Sequence, residues 1–165
     1  MATLLKNLSD YDLNSLPSAQ GMKVGIVVAE WNSEITFAMC EGAKTLLLKN
    51  GAREEDISIH LVPGSFELIA GAKMIAENCD VDAVITIGTV IQGETRHFDF
   101  ICEAVAVGLS NLNIHYNIPF IFGVLTTDNF QQAKDRSGGK HGNKGDEAAF
   151  TAIKMIALNN SLKRK

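Results

Sequence analysis

The sequence predicts a doubly wound α/β fold: a three-layer sandwich in which a four-stranded parallel sheet carries helices on both faces. Two observations lead there. Four short, nearly continuous apolar runs rich in β-branched residues punctuate the chain, the pattern of strands covered on both sides. Segments with apolar residues at helical spacing separate them. Strand and helix therefore alternate from end to end, and right-handed crossovers distribute the helices over both faces. The 165 residues suffice for one such domain with a full core.

Residues 1–20, polar and irregular with Pro17, read as an N-terminal arm, leaving 21–165 as a single domain. The first strand is expected at 23–29 (KVGIVVA), the second at 57–62 (ISIHLV), the third at 83–88 (AVITIG) and the fourth at 119–125 (PFIFGVL). Between the first two, Ile35, Ala38, Met39, Gly42, Ala43, Leu46 and Leu47 form one apolar helical stripe. Asn32 and Ser33 offer an N-cap and Gly51 a stop. Phe66, Ala70, Met74 and Ile75 mark a second helix ending near Asn78. Ile101, Ala104, Val105, Gly108, Leu109 and Leu112 mark a third, which must end before Pro119. The last helix is expected from Asp146. Its first turn is acidic (Asp146, Glu147) and its far end basic (Lys163, Arg164, Lys165), the order that complements the helix dipole.

Composition narrows the function classes. Hydrophobic residues make up 46% and charged residues 21%, ordinary values for a globular domain, and the net charge of −4 advertises no surface for nucleic acid or an anionic membrane. No apolar run approaches the roughly 20 residues that span a bilayer. The N-terminal stretch holds Lys6, Asp10 and Asp12 and does not read as a secretory signal. Cys40, Cys79 and Cys102 are dispersed, in neither CxxC nor metal-ligand spacing. They read as free thiols in a reducing compartment, hence a cytoplasmic protein without a metal site.

Ligands of open parallel sheets sit beyond the carboxyl ends of the strands. After the first strand stands Trp31, the single tryptophan, placed either to stack an aromatic ring or to fill an interface. After the second, Val62-Pro63-Gly64-Ser65-Phe66-Glu67 makes a sharp turn in which Ser65 can open a helix and Glu67 can accept hydrogen bonds. After the third comes Gly88 to His97. Gly93 permits close approach of a ligand, the following helix start attracts an anion, and Thr95 adds a hydroxyl. His97 brings an imidazole suited to proton transfer near neutral pH. After the fourth, Asp135 to Gly145 reads as a mobile glycine-rich basic loop in which Arg136 can grip a phosphate. It lacks the G-K-[ST] ending of a nucleotide-binding loop, and no G-x-G-x-x-G occurs after the third strand.

Taken together, Trp31-Asn32, Val62 to Leu68, Gly88 to Asp99, Phe122 to Thr127, and Asp135-Arg136 with Gly142 to Gly145 resemble, in order, the successive signatures of the lumazine synthases. The resemblance covers roughly 22–158. It implies a flavodoxin-like fold and a transferase of riboflavin biosynthesis. That enzyme joins 5-amino-6-(D-ribitylamino)uracil to 3,4-dihydroxy-2-butanone 4-phosphate, giving 6,7-dimethyl-8-ribityllumazine, phosphate and water without a cofactor. It implies that Trp31 stacks the pyrimidine, that Ser65, Phe66 and Glu67 meet the uracil and ribityl chain, and that Thr89, Val90 and Ile91 lie beneath the ring. Phe122 would come from a neighbouring subunit. Glu94 and Thr95 would hold the butanone phosphate with Arg136 opposite, and His97 would transfer protons. Sites between neighbours in a homo-pentamer follow, and in some members an icosahedral shell of about sixty chains. The loop 136–145 lacks the insertion that stops other members at smaller assemblies.

Three residues depart from the family pattern. Trp31 stands for the usual phenylalanine, Ile69 for a frequent proline, and Glu94 puts a carboxylate beside the expected phosphate. Two rival readings remain: a non-catalytic binder of lumazine or riboflavin, for which His97 and Arg136 would be superfluous, and a shell-forming scaffold with incidental activity.

Overall fold

The computed structural model describes residues 15–163. In chain order its elements are β1 (Val24–Ala29), α1 (Ser33–Lys49), β2 (Ile57–Val62), α2 (Leu68–Asn78), β3 (Ala83–Ile91), α3 (His97–His115), β4 (Phe120–Thr127), α4 (Phe130–Asp135), β5 (Ser137–Gly139), β6 (Gly142–Asn143) and α5 (Lys144–Lys163). A short 3-10 turn, Glu54–Asp56, leads into β2. The four long strands form one parallel sheet, as expected, and the structure orders them β2-β1-β3-β4.

Alternation along the strands sorts the core into two halves. Val24, Ile26 and Val28 of β1, with Ile85 and Ile87 of β3, pack under α1 and α5. Val27 and Ala29, with Val84 and Val124, pack under α2 and α3. This is the three-layer sandwich. Every residue of β1 is buried, as its unbroken apolar run requires of a central strand. β2 differs from the expectation of cover on both faces. It is an edge strand, and Ile59 and Leu61 are 42% and 53% exposed because no helix lies over them. β3 and β4 outrun their apolar cores: the ladder continues through Gly88↔Val124 to Ile91↔Thr127, so polar Thr89, Thr126 and Thr127 are still strand.

Ile35, Met39, Ala43, Leu46 and Leu47 of the α1 stripe are buried as anticipated, with Ala38 and Gly42 half-buried, and Gly51, at φ +99°, closes the helix by donating its N–H to Leu48 O. Asn32 does not cap with its side chain. It adopts the left-handed conformation (φ 60°, ψ 46°) and its carbonyl accepts from the N–H groups of Ile35 and Thr36. The face of α2 also differs. Leu68, Gly71, Ala72 and Ile75 are buried, whereas Phe66, Ala70 and Met74 are exposed. Helix starts only at Leu68, so Phe66 belongs to the turn and the apolar side of α2 is the one that Leu68 defines. Val105, Leu109 and Leu112 of α3 enter the core as expected. Gly145 lets α5 start two residues ahead of Asp146: a Cβ there would run into the carbonyl oxygen of Met39 in α1.

Of the expected arm, residues 1–14 lie outside the described residues; Ala19 is fully buried and its N–H donates to Asn50 O. Arg164 and Lys165 also lie outside them. The stretch after α4, expected to be a mobile loop, forms the hairpin β5–β6. Among the described residues no helix is long and apolar enough to cross a membrane.

Candidate active site

In the order β2-β1-β3-β4 the chain reverses direction of winding between β1 and β3, and the loops that leave these two strands run to opposite faces. A cleft of ≈ 720 Å³ opens at that point. It is lined by Trp31, Asn32, Gly64, Ser65, Phe66, Glu67, Thr89, Val90, Ile91, His97 and Ile101. Three loops far apart in sequence thus deliver a large aromatic face, a carboxylate and an imidazole to one concavity.

Each loop is anchored by its strand. β1 and β2 stay paired past their ends: the N–H of Glu30 donates to Val62 O at 2.8 Å and that of Trp31 to Pro63 O at 3.2 Å. Trp31 is then carried outward by left-handed Asn32 and remains 74% exposed, an open face rather than a core filler. Ser65 does not cap α2. Its buried hydroxyl donates to Thr89 O at 3.2 Å, pinning the turn of Phe66 and Glu67 to the end of β3. Gly88 leaves the room for this contact, since a Cβ there would come within 2.9 Å of Ser65 Oγ. Thr89 is 3% exposed, and its own hydroxyl oxygen has no hydrogen-bond partner.

His97 is the first residue of α3 and is exposed to the cleft. Its N–H donates to Thr95 Oγ1 at 3.4 Å, so Thr95 serves the start of the helix. Thr95 and Glu94 are exposed in the β3–α3 loop, outside the lining of the cleft. Glu94 forms no ion pair among the described residues. Gly93 faces open space, with nothing within 4 Å of where a Cβ would stand.

Two more sequence-predicted residues, Phe122 and Arg136, line other concavities. Phe122 sits on the free edge of β4, 41% exposed, beside a ≈ 310 Å³ groove formed with Asn113, Lys144, Glu147 and Met155. Arg136 lines a separate ≈ 510 Å³ cleft with Thr127, Gln132, Lys140, His141 and Lys144. Arg136 Nη2 stands 4.0 Å from Glu147 Oε1, and Lys144 Nζ 2.9 Å from Glu147 Oε2. Hydrogen bonds from Gln131 and Lys140 hold the Asp135 carboxyl below the usual carboxylate range. This cleft gathers cations and the first contains none, so one chain separates an aromatic-and-acid site from a cationic one. Among the described residues no group of three or more His, Cys, Asp and Glu could hold a metal ion.

The sequence reading had not assigned Asn32, Gly64 and Ile101 to the site. Asparagine directly after a strand-end tryptophan was the available signal for the first, because asparagine tolerates the left-handed region. Ile101 carried no such signal: its helical spacing is that of any core residue.

Comparison with known proteins agrees along the chain. The profile of the 6,7-dimethyl-8-ribityllumazine synthase family matches residues 21–160. A 6,7-dimethyl-8-ribityllumazine synthase of Parabacteroides distasonis is 57% identical over 156 residues, 94% of this chain and 98% of the relative. That of Cytophaga hutchinsonii is 57% identical over 157 residues, covering 95% and 98%, and that of Phocaeicola vulgatus 50% over 164, covering 99% and 98%. With both the profile and these relatives spanning nearly the whole chain, it belongs to the 6,7-dimethyl-8-ribityllumazine synthase family.

Proposed function

We propose that this chain is the transferase that condenses 5-amino-6-(D-ribitylamino)uracil with 3,4-dihydroxy-2-butanone 4-phosphate to 6,7-dimethyl-8-ribityllumazine, in the cleft between β1 and β3. The observation that carries the reading is the convergence of Trp31, Glu67 and His97 on one ≈ 720 Å³ concavity, in a chain of this family. The exposed indole offers a stacking plane for a pyrimidine. Glu67 and the strand end Thr89-Val90-Ile91 offer polar groups to its edge and to the ribityl hydroxyls, with Ser65 and Phe66 shaping the wall.

The amine attacks the ketone and the adduct loses water to an imine; phosphate is eliminated, the chain tautomerises, and the second amine closes the ring with loss of water. Aligning two reactants supplies much of the acceleration. His97 carries protons between these steps. The leaving phosphate needs cations, and Arg136 and Lys144 stand in a different cleft of the same chain. Glu94 and Thr95 flank the anion-attracting start of α3, with the backbone rather than the Glu94 carboxylate as donor.

Phe122 and Arg136 serve the cleft of an adjacent copy in this reading. The exposed apolar side chains Phe100, Val107 and Ile114 along α3, and Ile59 and Leu61 on β2, support a homo-oligomer, since such surface is seldom left to water. The unit of this assembly is a pentamer, the building block from which some members of the family close an icosahedral shell of about sixty chains. The free thiols of Cys40, Cys79 and Cys102 suit the cytoplasm.

The test is formation of the lumazine chromophore from the two purified substrates, followed by absorbance and fluorescence, with Arg136→Ala alongside. Turnover well above background is expected, with Arg136→Ala impaired chiefly toward the phosphorylated substrate. Product binding without turnover would replace the enzyme by a binding module. Sedimentation velocity measures the assembly, and a monomer would overturn the shared site.

A further inference from the structure

The cationic cleft owes its shape to a hairpin that cannot hold itself. β5 has 3 residues and β6 has 2, and a lone two-stranded ribbon is at best marginal in water. Gly138 and Gly142 sit at φ +117° and +80°, and the ribbon brings no apolar side chain of its own. Yet Arg136 and Lys144, two of the cations that line the cleft, depend on it. Arg136 precedes β5, Lys144 follows β6, and the N–H of Lys144 donates to Arg136 O at 2.9 Å.

Ser137 Oγ ties this ribbon to Lys134 O of α4 at 3.2 Å, and the Asn143 side chain ties it to α1 and α5. Asn143 Nδ2 donates to Ala38 O, in α1, at 3.0 Å, and Asn143 Oδ1 accepts from the N–H of Gly145, in α5, at 2.8 Å. A single amide thereby connects β6, α1 and the start of α5, across 105 residues of sequence. Two glycines make the slot. A Cβ at Gly42 would lie 2.5 Å from Asn143 Nδ2, and one at Gly145 would collide with Met39 O. Asn143 lines the ≈ 420 Å³ groove beside α1 and not the cationic cleft, so whatever it does to that cleft it does through its neighbours.

We propose that Asn143 is a positioning residue for the phosphate end of the reaction: it pegs the β5–β6 hairpin to the middle of α1 and so sets where Arg136 and Lys144 present their charges. This rests on the reading of the cationic cleft as the phosphate subsite. Ser137 of β5 pairs directly with Asn143, so a shift of the peg passes to Arg136 through one residue. Glu147, within reach of both cations, would then hold them in a different register. A displacement of about 1 Å in a group that orients a substrate can cost up to about a hundredfold.

The experiment compares wild type, Asn143→Ala, Asn143→Asp and Arg136→Ala. It measures KM separately for the phosphorylated ketone and for the pyrimidine, inhibition by inorganic phosphate, and thermal midpoint. Asn143→Ala is expected to raise KM for the phosphorylated ketone and the inhibition constant of inorganic phosphate roughly tenfold, leaving KM for the pyrimidine within about twofold. Asn143→Asp keeps an acceptor for Gly145 N–H but has no donor for Ala38 O, and should fall between; it carries the same comparison if the alanine variant does not fold. An equal rise in both KM values would reduce Asn143 to a general stabiliser and overturn the proposal. So would unchanged phosphate affinity in Asn143→Ala while Arg136→Ala loses it. If Arg136→Ala itself keeps full phosphate affinity, the phosphate subsite is wrong and the proposal falls with it.

Discussion

Thr89→Val exchanges a hydroxyl for a methyl at nearly constant shape, at a position that is 3% exposed and whose hydroxyl oxygen has no hydrogen-bond partner. Both residues are β-branched, so the backbone preference of β3 is unaffected. The bond from Ser65 survives, because its acceptor is the Thr89 carbonyl. What changes is removal of a buried polar group that costs about 1–3 kcal/mol when left unpaired. The free enzyme should therefore become more stable, by about 1–2 kcal/mol if relaxation recovers part of the cost already. For a chain of this size that is a rise in thermal midpoint of about 2–8 °C. In urea the midpoint should rise at unchanged slope. If the hydroxyl is kept for the pyrimidine, KM for that substrate should rise by up to about tenfold, the worth of one neutral hydrogen bond. Thr86→Val on the same strand is the control of opposite sign, since Thr86 Oγ1 donates to Ile121 O at 2.9 Å and should cost about 1 kcal/mol when lost. Destabilisation of Thr89→Val by 1 kcal/mol or more, as in the control, would refute the reasoning by showing the hydroxyl engaged.

His97→Ala should slow turnover by about 10²- to 10⁴-fold and leave it measurable, because alignment in the cleft persists; complete loss in single-turnover assays would mean that His97 does more than move protons. Gly145→Ala should destabilise by about 1–3 kcal/mol or more, since its methyl meets Met39 O and α5 must retreat from α1; an unchanged urea midpoint would show that the crossing has slack. Burial pushes the Cys40 thiol up to about 11. A thiol whose folded value is raised stays neutral in the folded state while the unfolded chain ionises, so its contribution to stability is complete below the ordinary thiol range and is lost as pH rises toward 11. Mass mapping after iodoacetamide at pH 8 should find Cys40 unmodified in the native protein and alkylated in urea, and equal labelling in both would contradict the burial.

Local pattern made the elements legible where burial and apolarity coincide. The run of β1 is buried at every residue, and the stripes of α1 and α3 are the faces that meet the sheet. It misled where apolar residues serve something other than this chain's core. Phe66 and Met74 suggested one face for α2, but both are exposed, and the helix is oriented by Leu68. β2 reads like β1 and yet lies at the edge, because nothing local distinguishes a run paired on both sides from a run paired on one. Ser65 was legible as a polar residue at a helix start; that its hydroxyl would instead reach Thr89 O depends on how closely β3 passes the turn.

The sequence by itself determined the alternation of strand and helix, hence the fold class, and it carried the ordered motifs that mark the family. Tertiary structure alone decided which loops share a cleft. Periodicity is a property of neighbouring residues, whereas strand order follows from covering both faces of the sheet at once. That order places the reversal between β1 and β3, bringing Trp31, Glu67 and His97 together, and sends the loop after β4, with Arg136, to a cleft of its own.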